Sequence, residues 1–316
     1  MQPFDPTRPP DPTGIPGSTP VHDFTLPTTN VLQRSLDAHG LPARHRWEIP
    51  LLVAVIGVTV LGYLMAFGLL STGYADEYVL LMVLAPVLIW FVRGRGWGAP
   101  RVDGIKMSPT QFPDAYQLVV DAAARFGMAK VPDAYVVLGN GQINAFASGH
   151  GFRRYVVVYS DLFEVGGESR QPDALAFIIG HEVGHIAAGH TSYWRQLGTF
   201  AMTFLPFLGP ALSRSQEYTA DNHGYAFRST GADGAMQTLG AGKYLNTAVR
   251  FDELADRAST EPGFFPWLTN ALASHPVLTW RSNAIRDRRK HGRLLIPPPK
   301  SRDLEQISTA GPMPRP

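Results

Sequence analysis

An uncharged run of twenty residues, Leu51 to Leu70, constrains this chain more than any other stretch. As a helix it rises about 30 Å, enough to cross the hydrocarbon core of a bilayer, where backbone groups must pair within the segment. A second apolar run, Tyr78 to Val92, follows the break Ser71 to Glu77. Alone it makes only about 22 Å of helix, so part of Ser71–Glu77 is expected to extend it, with Tyr74 and Trp90 at the interfaces. The first run lies well inside the chain and is longer than a signal-peptide core, so a permanent anchor is expected. Arg34, Arg44 and Arg46 precede the pair, and Arg93, Arg95 and Arg101 follow it. The loop between holds Asp76 and Glu77 without lysine or arginine. The positive-inside rule then puts both ends in the cytoplasm, and with them the rest of a multi-pass protein of the cell membrane.

His181-Glu182-Val183-Gly184-His185 carries the chemistry. On a helix the two histidines are four residues apart and share a face, so both imidazoles can reach one metal. Glu182 lies beside them, placed to accept a proton from metal-bound water. Gln171-Pro172-Asp173 reads as a helix start, and Ala174 to Ile179 contains no breaker. Gly180 and Gly184 weaken helix propensity but let another backbone approach closely. His190 follows His185 at the wrong spacing for a metzincin, which needs a histidine where Thr191 stands and a glycine where Ala188 stands. Downstream, Glu217 and Asp221 stand at helical i, i+4 spacing. Glu217 would complete a His₂Glu set with a fourth position open for water. Asp221 could accept the remaining ring N–H of a ligand histidine.

These motifs, together with Gly189-His190, Ser274-His275-Pro276 followed by Arg281, and Asn144-Ala145-Phe146-Ala147, resemble the HtpX-like membrane metallopeptidases, relatives of the CAAX prenyl proteases. The resemblance runs from about Asp103 to Arg289. It implies one Zn²⁺ per chain on His181, His185 and Glu217, with Glu182 as general base and Asp221 orienting a ligand. It also implies that His275 or Arg281 approaches the site, His275 as a catalytic group at the developing oxyanion, and that Asn144 and Ala145, with Arg281, meet the bound peptide. The expected fold is an α+β zincin-type metallopeptidase domain over 94–296, with an HExxH helix, a small β-sheet and a helical C-terminal part. A transmembrane helical hairpin over 49–93 precedes it.

Other features bound the reading. The chain has no cysteine, which excludes a thiol protease and a cysteine-bound zinc, and no G-x-S-x-G motif. Pro109 to Lys130 reads as an amphipathic helix, Ala134–Leu138 and Tyr155–Tyr159 as strands, and Gly139-Asn140-Gly141 as a turn. The apolar stretch Leu197 to Leu212 is broken by Pro206, Gly209 and Pro210 and is too short for two spans. It reads either as a hairpin dipping into the membrane or covering the substrate groove, or as a core helix with a proline bend. Residues 1–48 form a Pro-rich cytoplasmic tail and 297–316 a second tail, both expected to be disordered. A formal net charge of +2 and a basic run from Arg281 to Arg293 fit membrane lipid better than nucleic acid. No phosphate-binding glycine loop is present. The expected partners are polypeptide substrates, membrane or misfolded proteins, and lipid. The alternatives are a narrow-specificity processing protease, for example of lipidated proteins, and a non-catalytic membrane adaptor.

Overall fold

The computed structural model describes residues 41–166, 171–288 and 291–298. Most of the two expected tails, Arg34, and Arg289 and Lys290 of the basic run lie outside these residues. Helices α1 (Glu48–Ser71) and α2 (Glu77–Asp103) form a hairpin, each long and apolar enough to cross a membrane, with mean hydropathies of 2.3 and 1.7. Gly62 gives the pair room, since a Cβ there would meet Met82 Cε at 2.6 Å. After α1 the chain turns through Gly73, at φ +83°, a conformation that glycine adopts without strain. Asp76 then caps α2 by accepting the Val79 N–H at 2.8 Å.

The expected extension of the second span lies at its other end. α2 starts at Glu77 and continues past Val92 through Arg93 and Arg95 to Asp103, about 40 Å in all. Its last turns find a protein surface: the Arg101 guanidinium sits 3.9 Å from the centre of the Trp97 ring and pairs with Asp133. Trp97 in turn packs against the buried rings of Tyr135 and Tyr155. Contacts with a folded domain, which hydropathy does not report, thus carry the helix on.

The sheet comprises β1 (Ile105–Lys106), β2 (Asp133–Val137), β3 (Ala145–His150) and β4 (Arg153–Tyr159), in the order β1-β2-β4-β3. β2 and β4 run parallel, and the outer pairs are antiparallel. Val136, Val156 and Val158 face the main core, shared with α3 (Pro113–Arg125), while Tyr135, Tyr155 and Val157 face Trp97. Burial on both faces explains why β4 reads as a continuous apolar run rather than an alternation. The expected strands and helix are therefore present, with shifted ends, and β3 is an edge strand.

After α4 (Ser160–Gly166), α5 (Pro172–Ala187) runs buried on nearly every side, as an apolar helix at the centre of a domain must be. α6 (Tyr193–Gly198) and a 3₁₀ turn at Phe200–Phe204 lead to α7 (Leu208–Arg228), which crosses α5. α8 (Ala232–Leu245), α9 (Phe251–Thr260), α10 (Phe264–Leu272) and α11 (Leu278–Arg286) complete the helical part. The stretch Leu197–Leu212 is thus split between α6, the 3₁₀ turn, a bend at Pro206 and the start of α7. It packs on α1: a Cβ on Gly198 would lie 3.4 Å from Ile56 Cγ1, and the Ala201 N–H donates to Thr59 Oγ1 at 3.2 Å.

The tail boundary expected at residue 48 moves. Asn222 Nδ2 donates to the Ala43 carbonyl at 2.6 Å, and Arg44 Nη2 to the Ala188 carbonyl at 2.8 Å. The His45 N–H donates to Thr219 Oγ1 at 2.9 Å. Residues 43–48 therefore pack into the folded domain, through contacts with partners far along the chain that no local pattern announces.

Candidate metal centre

Helical spacing on α5 brings His181 and His185 together, with their Nε2 atoms 3.2 Å apart. From α7, Glu217 places Oε1 3.4 Å from His185 Nε2 and Oε2 3.5 Å from His181 Nε2. Bonds of 2.0–2.1 Å in tetrahedral geometry require donor–donor edges of about 3.3–3.4 Å. Each of the three distances is of that size, with Glu217 reaching the two nitrogens through its two different oxygens, and one ligand atom from each residue lies within 4.8 Å of the other two. Among the described residues this is the single His/Cys/Asp/Glu group close enough to hold a metal. His181 and Glu217 are buried. Two nitrogen donors and one carboxylate suit zinc and leave a position open.

Glycines let α7 come this close. A Cβ on Gly184 would stand 2.4 Å from His223 Cβ, one on Gly180 2.8 Å from Phe227 Cδ1, and one on Gly224 2.9 Å from the Phe177 carbonyl oxygen. The lack of side chains at Gly180 and Gly184 thus serves close helix packing.

Asp221, one turn beyond Glu217, lies 3.0 Å from His181 Nδ1, and Arg281 from α11 reaches the same carboxylate at 2.6–3.0 Å. With His181 Nε2 directed at the metal position, its Nδ1–H donates to Asp221. Arg281 Nη2 also lies 3.1 Å from His181 Nδ1. Guanidinium and Nδ1–H are both donors, so this is proximity and the hydrogen bonds go to Asp221. Burial would push the Asp221 pKa up, but Arg281 and His181 outweigh it and bring it down to about 2. Burial and Arg281 oppose a proton on His181, yet its hydrogen bonds to the Asp221 and Glu217 carboxylates raise its pKa to about 9.

The site opens into a cleft of about 330 Å³ lined by Glu182, His275, Arg281 and Asn144 to Ala147. Ala145 begins the edge strand β3, with Asn144 directly before it, and the unpaired side of that strand can add an extended peptide by backbone hydrogen bonding. His275 is two-thirds exposed, with Nε2 3.5 Å from Glu217 Oε1. Its loop is tied from below by fully buried Arg214, whose Nη1 donates to the carbonyls of Ala271 and Ala273 at 2.9 and 2.8 Å. The structure therefore gathers every residue expected at the site. Arg281 differs in manner: its side chain is only 11 % exposed and committed to Asp221.

The family model for Peptidase family M48 matches residues 109–207 and 192–289. The chain belongs to peptidase family M48. This is a family of zinc metallopeptidases, so the fold is an M48 peptidase domain, mostly helical with a small sheet, preceded by two candidate membrane helices. No curated protein matches the chain. The matched ranges contain His181, Glu182, His185, Glu217, Asp221, His275 and Arg281, whereas α1 and α2 precede them.

Sequence reading missed three groups around the centre. Arg214 is one; its only signal is a lone charge in the apolar start of α7. Arg93 of α2 is another: it is buried, donates to the Thr191 carbonyl at 2.8 Å and also bonds Gln196, two residues that line the cleft. The third is Glu48, the charge directly before the first apolar run.

Proposed function

We propose that this protein is a membrane-anchored zinc-dependent endopeptidase, close to the HtpX-like group, that cleaves exposed segments of membrane or misfolded proteins on the cytoplasmic side. The observation that carries this reading is the convergence of two imidazoles and one carboxylate at metal-ligand spacing, sunk in a cleft beside an edge strand. His181, His185 and Glu217 would hold the ion. Bound there, zinc supplies Lewis acidity and lowers the pKa of water to about 7. Glu182 accepts the proton of the attacking water and returns it to the leaving amine. Asp221, braced by Arg281, keeps the His181 ring oriented. His275, on the exposed rim, donates to the developing oxyanion. The β3 edge aligns the substrate backbone through Asn144 and Ala145, giving broad side-chain tolerance.

The 3₁₀ turn supports a lipid-side substrate. Thr59 lies about 16 Å along α1 from Glu48, so a membrane-spanning α1 carries Phe200–Phe204 to hydrocarbon depth. Non-helical backbone at that depth needs protein partners, and Thr59 supplies one to Ala201. Phe204 and Phe207 are exposed there. Thr191 and Gln196, just before this turn, line the catalytic cleft, so the cleft mouth adjoins lipid.

Detergent-purified protein should cleave an unfolded casein-like substrate only with zinc, and Glu182→Gln should abolish cleavage while retaining the metal. Zinc binding without cleavage in the wild type would favour a narrow-specificity processing protease or an adaptor. Failure to bind zinc would refute the reading.

A further inference from the structure

Behind the metal centre, a line of buried polar groups runs from a ligand histidine to the first residue of α1. His190, in the turn after α5, places Nδ1 2.8 Å from Nδ1 of His185. Its Nε2 lies 3.1 Å from Oε1 of Glu48. Glu48 is 0 % exposed, and His190 is also buried. The same carboxylate oxygen accepts from Arg44 Nη1 and Arg195 Nη2, each at 2.7 Å. The Thr219 hydroxyl donates to Oε2.

The proton positions along this line follow from donor–acceptor rules. An ionised carboxylate only accepts, so His190 donates from Nε2 and keeps a lone pair on Nδ1. That lone pair accepts, so the proton between the two rings belongs to His185 Nδ1. His185 is left with its Nε2 lone pair directed at His181 Nε2 and Glu217 Oε1, the tautomer a metal ligand needs.

We propose that Glu48 is a positioning residue of the metal centre, acting through His190 to select the tautomer and orientation of His185. This rests on the reading of His181, His185 and Glu217 as zinc ligands. The two ligand histidines are then supported alike: Asp221 stands directly on His181, and Glu48 stands on His185 through a second imidazole. Pairing with Arg44 and Arg195 would by itself seat the helix end. It does not call for a histidine whose other nitrogen meets a ligand. The first turn of the membrane helix is therefore part of the active site.

The test is zinc affinity of the full-length protein in detergent, by competition with a chromophoric chelator. Glu48→Leu and His190→Leu should each weaken zinc binding about 10- to 100-fold, the usual effect of losing a partner behind a ligand. The double variant should be no weaker than the weaker single one, because both break the same line. His190→Gln offers a side-chain oxygen to the His185 N–H without help from Glu48. It should restore much of the affinity lost in His190→Leu and be insensitive to a further Glu48→Leu change. Wild-type affinity in Glu48→Leu, or losses that multiply in the double variant, would overturn the relay. Glu217→Gln in the same titration checks the underlying reading: if it leaves zinc binding intact, the ligand set is wrong, whatever Glu48 does.

Discussion

Gly184→Ala tests how closely α7 must approach α5. The added Cβ would stand 2.4 Å from His223 Cβ, an atom fixed to the α7 backbone that no side-chain rotation can withdraw. Carbon atoms pack at about 3.5–4.0 Å, so the helices must separate by about 1 Å or more. Overpacking of this kind costs about 1–3 kcal/mol of stability. The effect on the site is sharper, because Glu217 rides on α7 and metal–ligand bonds tolerate only about ±0.2 Å. A shift of that size takes the carboxylate out of bonding range and leaves two histidines. Zinc affinity should fall at least the 10- to 100-fold that loss of a mere supporting partner brings. The assay is chelator competition alongside thermal unfolding of the zinc-free protein, with Gly98→Ala, where a Cβ meets nothing within 4 Å, as control. Wild-type zinc affinity and an unchanged Tm in Gly184→Ala would refute the claim that this contact sets the ligand geometry.

Three further outcomes are expected. Burial holds His45 and His223 neutral, lowering each pKa from 6.5 to about 4. The unfolded chain then binds more protons below pH 6.5, so stability should drop as pH falls from about 6.5 to about 4, by about 3 kcal/mol per histidine, and level off below. Thermal scans across that range should show a shallower fall for His45→Gln; an equal fall would remove His45 from the account. Arg214→Met frees the two carbonyls that tie the His275 loop, so kcat should fall while zinc affinity stays near wild type. An unchanged kcat would detach that loop from catalysis. Saturating zinc at about 1,000 times its Kd should stabilise the native protein by about 4 kcal/mol. Chelation should reverse the gain in Tm, and Glu217→Gln should show little of it.

The local parts of this protein were legible because local rules decide them. Helical spacing puts His181 beside His185, and Glu217 on the same face as Asp221, whatever the rest of the chain does. The apolar strands around Tyr135 and Val157 could be read for the same reason, and the place of Asn144 and Ala145 beside the site through their motif. The extent of α2 could not, because hydropathy ends at Val92 whereas the helix continues on contacts of Trp97 and Arg101 with the sheet. Arg214 and Arg93 were equally hidden, since their carbonyl partners lie far away in sequence.

Sequence alone determined that a helix with two histidines on one face and a membrane-length hairpin belong to one chain, for both depend on residue spacing and segment length. Tertiary structure decided where α7 crosses α5, since that crossing depends on which glycine surfaces admit each other without clash. It also decided what Glu48 does. A carboxylate just before an apolar run has the sequence appearance of an ordinary interfacial charge. Only packing against His190, Arg195 and Thr219, all more than 140 residues away, removes it from water and gives it those partners.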